Sequence, residues 1–245
     1  MSDFRFPTRV QKLRERLAQD NLDALFISNT ENRRYISGFE SSAGYLLVTR
    51  HNAVICTDFR YIEQASQQAP GWRVDRIGGK PDWLANLVKE LEIKVLGFEA
   101  DDVTVETLDR FQKNLKQNDA NPTLKPTSSI CVELRAYKDD VELPLLQRAI
   151  DIGDQAFEET VDQLEVGMSE KEAAWIFEKA VRERGAESIS FPTIVAIGPN
   201  AARPHHATGD TTIVEGQTIV FDCGAKYKGY CSDLTRTVVL GKAND

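Results

Sequence analysis

An α/β architecture in two parts is what the chain predicts, on three observations. The first half alternates helix-period and strand-period apolar patterns, as expected of an α/β domain with a mixed sheet. A stretch rich in Asn, Pro, Ser and Thr, "KQNDANPTLKPTSS", then marks the edge of that domain. Beyond it come two long helical patterns and a group of short strand-like runs that close on a hairpin.

The elements follow in order. Val10, Leu13 and Leu17 stripe one side of a helix over Arg9 to Gln19, which leads to the apolar run "LDALFIS". "NTENRRYISGF" reads as a loop, before a hairpin of "YLLVT" and "AVICT" that turns at Arg50, His51 and Asn52. A helix over Tyr61 to Gln68, a strand at Arg73 to Ile77, a helix over Asp82 to Leu91, the strand "KVLGFEA" and a helix over Val105 to Leu115 complete the first part. In the second part, Leu146, Ala149, Ile150, Ala156, Phe157, Val161 and Leu164 recur at helical spacing between Val141 and Leu164. Pro144 fits the first turn of that helix, where no intrahelical N–H bond is lost. "SEKE" reads as a capping box, with Ser169 as N-cap and Glu172 three positions on, and its helix stops at Gly185. The strands "FPTIVAIG" and "TIVFDCG" flank a polar loop, "PNAARPHHATGD".

Composition narrows the function. The 245 residues carry 38 acidic against 30 basic side chains, a formal charge of -8, which argues against a nucleic-acid surface. No apolar run approaches a membrane span, and "MSDFRFPTRV" lacks an apolar signal segment, so the expectation is a cytoplasmic protein without a membrane partner. The four cysteines, Cys56, Cys131, Cys223 and Cys231, have no close C-x-x-C spacing and read as reduced structural thiols.

Chemistry concentrates in "VFDCGAKYKGYCSDLTRT". With Lys228-Gly229 as a two-residue turn, Asp222 lies opposite Thr235, and Asp233 sits one step along on the same face, roughly 7 to 8 Å away diagonally. Asp222, Gly224, Cys231, Asp233, Thr235 and Thr237 then share a polar face, while Phe221, Cys223, Ala225 and Leu234 share an apolar one. A half-buried hairpin with its polar face in water is the plain explanation. Against it, neighbouring cross-strand carboxylates repel unless a cation sits between them. A zinc site of His205, His206, Cys223 and Cys231 is set aside, because this register points the two cysteines to opposite faces. His205 lies in the polar loop, stiffened by Pro204 and followed by the strand that delivers Asp222, whereas His51 falls in a hairpin turn.

Together "LRAYKDDVELPLLQRAIDIGDQAF", "FPTIVAIGPNAARPHH" and "FDCGAKYKGYCSDLTRT" resemble the pita-bread metallopeptidases, specifically Xaa-Pro aminopeptidases and prolidases. "NRRYISGFESSAGYLLVT" and "TDFRYIEQA" resemble the creatinase-type N-terminal domain that accompanies them. The resemblance covers essentially the whole chain, and the spacings from His205 to Asp222 and from Asp222 to Asp233 fit the family pattern. It implies a creatinase-type mixed-sheet α/β domain over residues 1–131 and the N-terminal portion of a pita-bread α+β domain over 132–245.

The resemblance also implies two divalent metal ions, manganese in the first place and cobalt or zinc otherwise. Asp222 and Asp233 would be ligands, with Asp233 bridging the ions. His205 would hydrogen-bond the substrate carbonyl, and Phe191 would line the substrate pocket, a core phenylalanine being the other reading. The implied activity is hydrolysis of the bond between an N-terminal residue and proline in proline-containing peptides. The implied assembly is a homodimer paired through the N-terminal domain, where "NRRYISGF" or "TDFRY" could approach a partner's site. The structural alternative is that Arg34, Asp58 and Arg60 make only local salt bridges.

The family's site also uses a histidine and two glutamates on later strands, which have no counterpart before "VVLGKAND". The expectation is therefore an N-terminal portion, inactive alone, that belongs to a longer polypeptide or is completed by a complementary C-terminal chain. Other readings are a non-catalytic pita-bread module that binds peptides or proteins, and a creatinase-like amidinohydrolase that needs no metal.

Overall fold

The computed structural model of the chain describes residues 6–78 and 82–244. They divide into two compact units, with the division between Tyr137 and Lys138.

The first unit runs α1 (Phe6–Gln19), β1 (Ala24–Ile27), α2 (Thr30–Ser37), β2 (Tyr45–Thr49), β3 (Ala53–Thr57), α3 (Ile62–Gln68), β4 (Arg73–Arg76), α4 (Trp83–Glu90), β5 (Val95–Glu99), α5 (Val105–Gln117), β6 (Thr123–Thr127) and α6 (Ile130–Ala136). Its strands form one six-stranded sheet in the order β4-β3-β2-β1-β5-β6. β2 runs antiparallel to both neighbours, while β3–β4, β1–β5 and β5–β6 are parallel, so the sheet is mixed as the α/β pattern predicts. Alternate residues of one strand feed two cores. Leu25 and Ile27 pack with Val10, Leu13 and Leu17 of α1, and Ala24 and Phe26 with Leu84, Leu87 and Val88 of α4. Burial on both faces explains why "ALFI" within "LDALFIS" is apolar at every position.

Two stretches depart from the expectation. "NTENRRYISGF" holds a helix: the Asn29 side chain accepts from the N–H of Asn32, and Gly38, at φ 78°, ends the helix with its N–H on the carbonyl of Arg34. Eight residues with few apolar positions show too little periodicity for such a helix to be read. The Asn- and Pro-rich stretch holds β6 as an outer strand, where Pro126 opposite Phe98 forfeits no ladder bond on the open edge. The α6 helix follows, with Ile130 and Cys131 in the first core; a division at 131/132 passes through it.

The second unit comprises α7 (Glu142–Asp162), α8 (Glu170–Glu183), β7 (Ser188–Ile189), β8 (Ile194–Ile197), a 3-10 turn (Gly198–Ala202), β9 (Thr218–Cys223), β10 (Ala225–Tyr227), β11 (Tyr230–Cys231) and β12 (Leu234–Val239). The capping box of α8 forms as expected, with Ser169 Oγ accepting from the N–H of Glu172 and the Glu172 carboxylate accepting from the N–H of Ser169. The strands make two three-stranded sheets, β12-β9-β8 and β11-β10-β7. Ile152, Ala156, Phe177, Val181, Val195, Ile219, Phe221 and Cys223 form their common core with α7 and α8. Among the described residues no helix is long and apolar enough to cross a membrane.

Candidate metal and histidine site

The hairpin carrying the two aspartates turns at Lys228 and Gly229, whose φ angles of 44° and 72° are both positive, as a two-residue hairpin turn of the primed type requires. Asp222 pairs with Thr235 and Cys223 with Leu234, the register read from the sequence. Burial follows that register. Phe221, Cys223, Ala225 and Leu234 are buried, and Asp233, Thr235 and Thr237 are exposed. Asp222 is half-buried and accepts a hydrogen bond of 3.0 Å from Thr235 Oγ1.

Each hairpin limb crosses from one sheet to the other beside Asp233, and close packing sets the crossing. A Cβ on Gly224 would lie 2.0 Å from the carbonyl oxygen of Ser232, so only glycine allows that approach. Ser190 ties the seam from outside, its N–H on the carbonyl of Gly224 and its hydroxyl on that of Ser232. Behind the aspartates, burial and then the charges of Asp222 and Asp233 push the Cys223 thiol up to about 12, leaving it protonated at neutral pH. With Cys223 buried and Cys231 exposed, the cysteines point apart.

The histidine loop is built around Glu170, a residue that the sequence analysis did not single out. Glu170, the first residue of α8, is fully buried. Its Oε1 accepts from the N–H of Ile197 (3.0 Å) and Nδ2 of Asn200 (2.9 Å). Its Oε2 accepts from the N–H of Gly209 (2.8 Å) and lies 2.8 Å from Nε2 of His206. Burial opposes ionisation, but the hydrogen bonds from His206, Asn200, Ile197 and Gly209 prevail and hold the Glu170 carboxyl below its ordinary range. An ionised carboxylate only accepts, so Nε2 of His206 carries the proton. Thr208 closes the loop, its Oγ1 accepting from the N–H of Val195 and donating to the carbonyl of Thr193.

These anchors present His205, on an exposed turn between Pro204 and His206, three residues before Thr208. The strand that Thr208 grips pairs Ile194 with Asp222. The structure thus brings Asp222 and Asp233 onto one face and tethers the His205 loop to the strand beside them; Phe191, between β7 and β8, is half-buried. Asp222 and Asp233 fit a hard divalent cation in kind, as carboxylate oxygens. They stand as a pair: among the described residues no group of three or more His, Cys, Asp or Glu side chains could hold a metal ion, so a full coordination shell needs further ligands. No signal in the sequence marked Glu170, because its partners lie 27 to 39 residues away.

The comparisons with known proteins agree with this layout. Residues 9–137 match the creatinase/prolidase N-terminal domain and residues 144–245 match metallopeptidase family M24. The chain is 37% identical over 238 residues to the uncharacterized peptidase YqhT of Bacillus subtilis, a match covering 97% of this chain and 66% of that protein. It superposes on the Xaa-Pro dipeptidase from Bacillus anthracis with a TM-score of 0.93 and 36% identity, over 98% of this chain and 66% of that one. Against the X-Pro aminopeptidase from Thermotoga maritima the TM-score is 0.84 at 33% identity, over 94% and 66% respectively. The chain therefore belongs to the creatinase/prolidase metallopeptidase family, joining a creatinase-type mixed-sheet α/β domain to a pita-bread α+β domain. It spans 66% of the length of the relatives named here.

Proposed function

We propose that the chain acts in a metal-dependent Xaa-Pro peptidase that hydrolyses the bond between an N-terminal residue and proline. The observation that carries the reading is the pair of aspartates on one face of a hairpin whose other face buries Phe221, Cys223, Ala225 and Leu234. Asp222 and Asp233 would hold divalent metal, manganese in the first place, with further ligands needed to complete the shell. Such ions, when bound, supply an activated water and neutralise charge developing on the scissile carbonyl. His205, exposed and held on an anchored loop, would donate a hydrogen bond to the carbonyl oxygen, and the open part of the Phe191 ring offers an apolar contact for proline.

Manganese titration of the full chain tests this, because the ion broadens NMR signals of nearby nuclei. The expected result is selective broadening of the amides around Asp222 and Asp233, abolished in Asp222→Asn. Broadening spread over the surface, or unchanged by that substitution, would remove the metallopeptidase reading.

A further inference from the structure

Outside the aspartate pair, a second carboxylate, that of Glu170, is buried at the start of α8. We propose that Glu170 is the positioning residue of the histidine loop, fixing residues 197–209 so that His205 is presented in one place; for catalysis, this rests on the peptidase reading above.

A glutamate that served only to start a helix would face solvent, as Glu172 of the same capping box does. Glu170 instead has no exposed surface and its four donors come from residues 197 to 209. They divide evenly, one backbone N–H and one side-chain donor on each oxygen: Ile197 with Asn200, and Gly209 with His206. The carboxylate therefore grips the loop where it leaves β8 and again where it returns, with His205 between.

The arrangement makes a sharp demand on chemistry. Backbone N–H groups can only donate, and one sits on each oxygen. A glutamine side chain has one acceptor oxygen, so whichever way its amide is turned, its NH2 confronts the N–H of Ile197 or of Gly209. Glu170→Gln keeps the volume of the side chain and breaks one of the two grips. A buried donor left without an acceptor is costly, so that limb opens towards water.

The test is amide hydrogen exchange on the folded full chain, read with the ring signals of labelled His205 and with binding of a proline dipeptide in the presence of manganese. In Glu170→Gln, exchange across residues 197–209 is expected to quicken at least tenfold while the β9–β12 ladder stays protected. The His205 ring signals should shift and broaden, and dipeptide binding should weaken to the degree seen in His205→Ala. Asn200→Ala, which removes one side-chain donor and neither backbone grip, should leave the His205 signals in place.

Unchanged loop exchange in folded Glu170→Gln would overturn the proposal, as would full dipeptide binding where His205→Ala has lost it. If Glu170→Gln fails to fold, Glu170→Asp decides, because its side chain, one methylene shorter, cannot reach the N–H groups of both Ile197 and Gly209: faster loop exchange supports the anchor, and unchanged exchange overturns it. Dipeptide binding insensitive to His205→Ala, alongside a loosened loop in Glu170→Gln, would bring down the peptidase reading and leave the anchoring role supported.

Discussion

Glu99 and Glu170 are both buried carboxylates, and their surroundings drive them in opposite directions. Glu99 accepts from the N–H groups of Ser28 and Asn29 and from Asn32 Nδ2, yet burial outweighs these bonds and raises its pKa. Glu170 has a lowered pKa, because its hydrogen bonds prevail over burial. A raised carboxyl binds its proton more tightly in the folded state. Its contribution to stability is full below the unfolded value, about 4.3, and is lost as pH rises through the folded value. A lowered carboxyl contributes fully above that unfolded value and loses it as pH falls through the folded one. Thermal melting against pH should therefore show Glu99→Gln flattening the slope just above about pH 4.3, and Glu170→Gln flattening it below. A single glycine makes an equally specific case. Gly224→Ala drives a methyl group into the backbone of Ser232 and should lower stability by about 1–3 kcal/mol or more in urea unfolding.

Local chemistry and tertiary context share the elements unequally. Both ends of α8 are written locally, in Ser169 and Glu172 at its start and in Gly185, at φ 93°, just past its end. Ser169→Ala should cost about 1 kcal/mol, read as a shift in the urea midpoint with an unchanged denaturant slope. The hairpin turn is just as local. Gly229→Ala puts a Cβ at a left-handed position and should cost roughly 1–2 kcal/mol by the same measurement. Helix α2 and strand β6 escaped the sequence reading for the opposite reason. Tyr35 and Ile36 are buried by packing against distant residues, and β6 is specified by its pairing with β5. Propensity summed over so few residues is a weak guide against such contacts.

For the whole molecule, charge and assembly are the open consequences of the family membership. Two side chains that could have reached a second copy are engaged locally: Arg60 holds Asp58 through two hydrogen bonds, and Arg34 lies 2.5 Å from Glu40. We propose the homodimer on family grounds, and light scattering at micromolar concentration checks it, with a monomer mass removing the idea. Arg60→Ala should leave that mass unchanged, since an exposed pair of this kind is screened by solvent and contributes little.

By itself the sequence determined the mixed α/β first part, the capped ends of α8 and the register that sets Asp222 opposite Thr235. Each rests on a period or a turn confined to a few neighbouring residues. Only the tertiary structure decided that Glu170 holds the histidine loop and that Glu99 joins residues 28–32 to β5. The physical reason is range: a buried carboxylate is satisfied by donors that folding brings from 27 to 71 residues away, and their spacing along the chain follows no period.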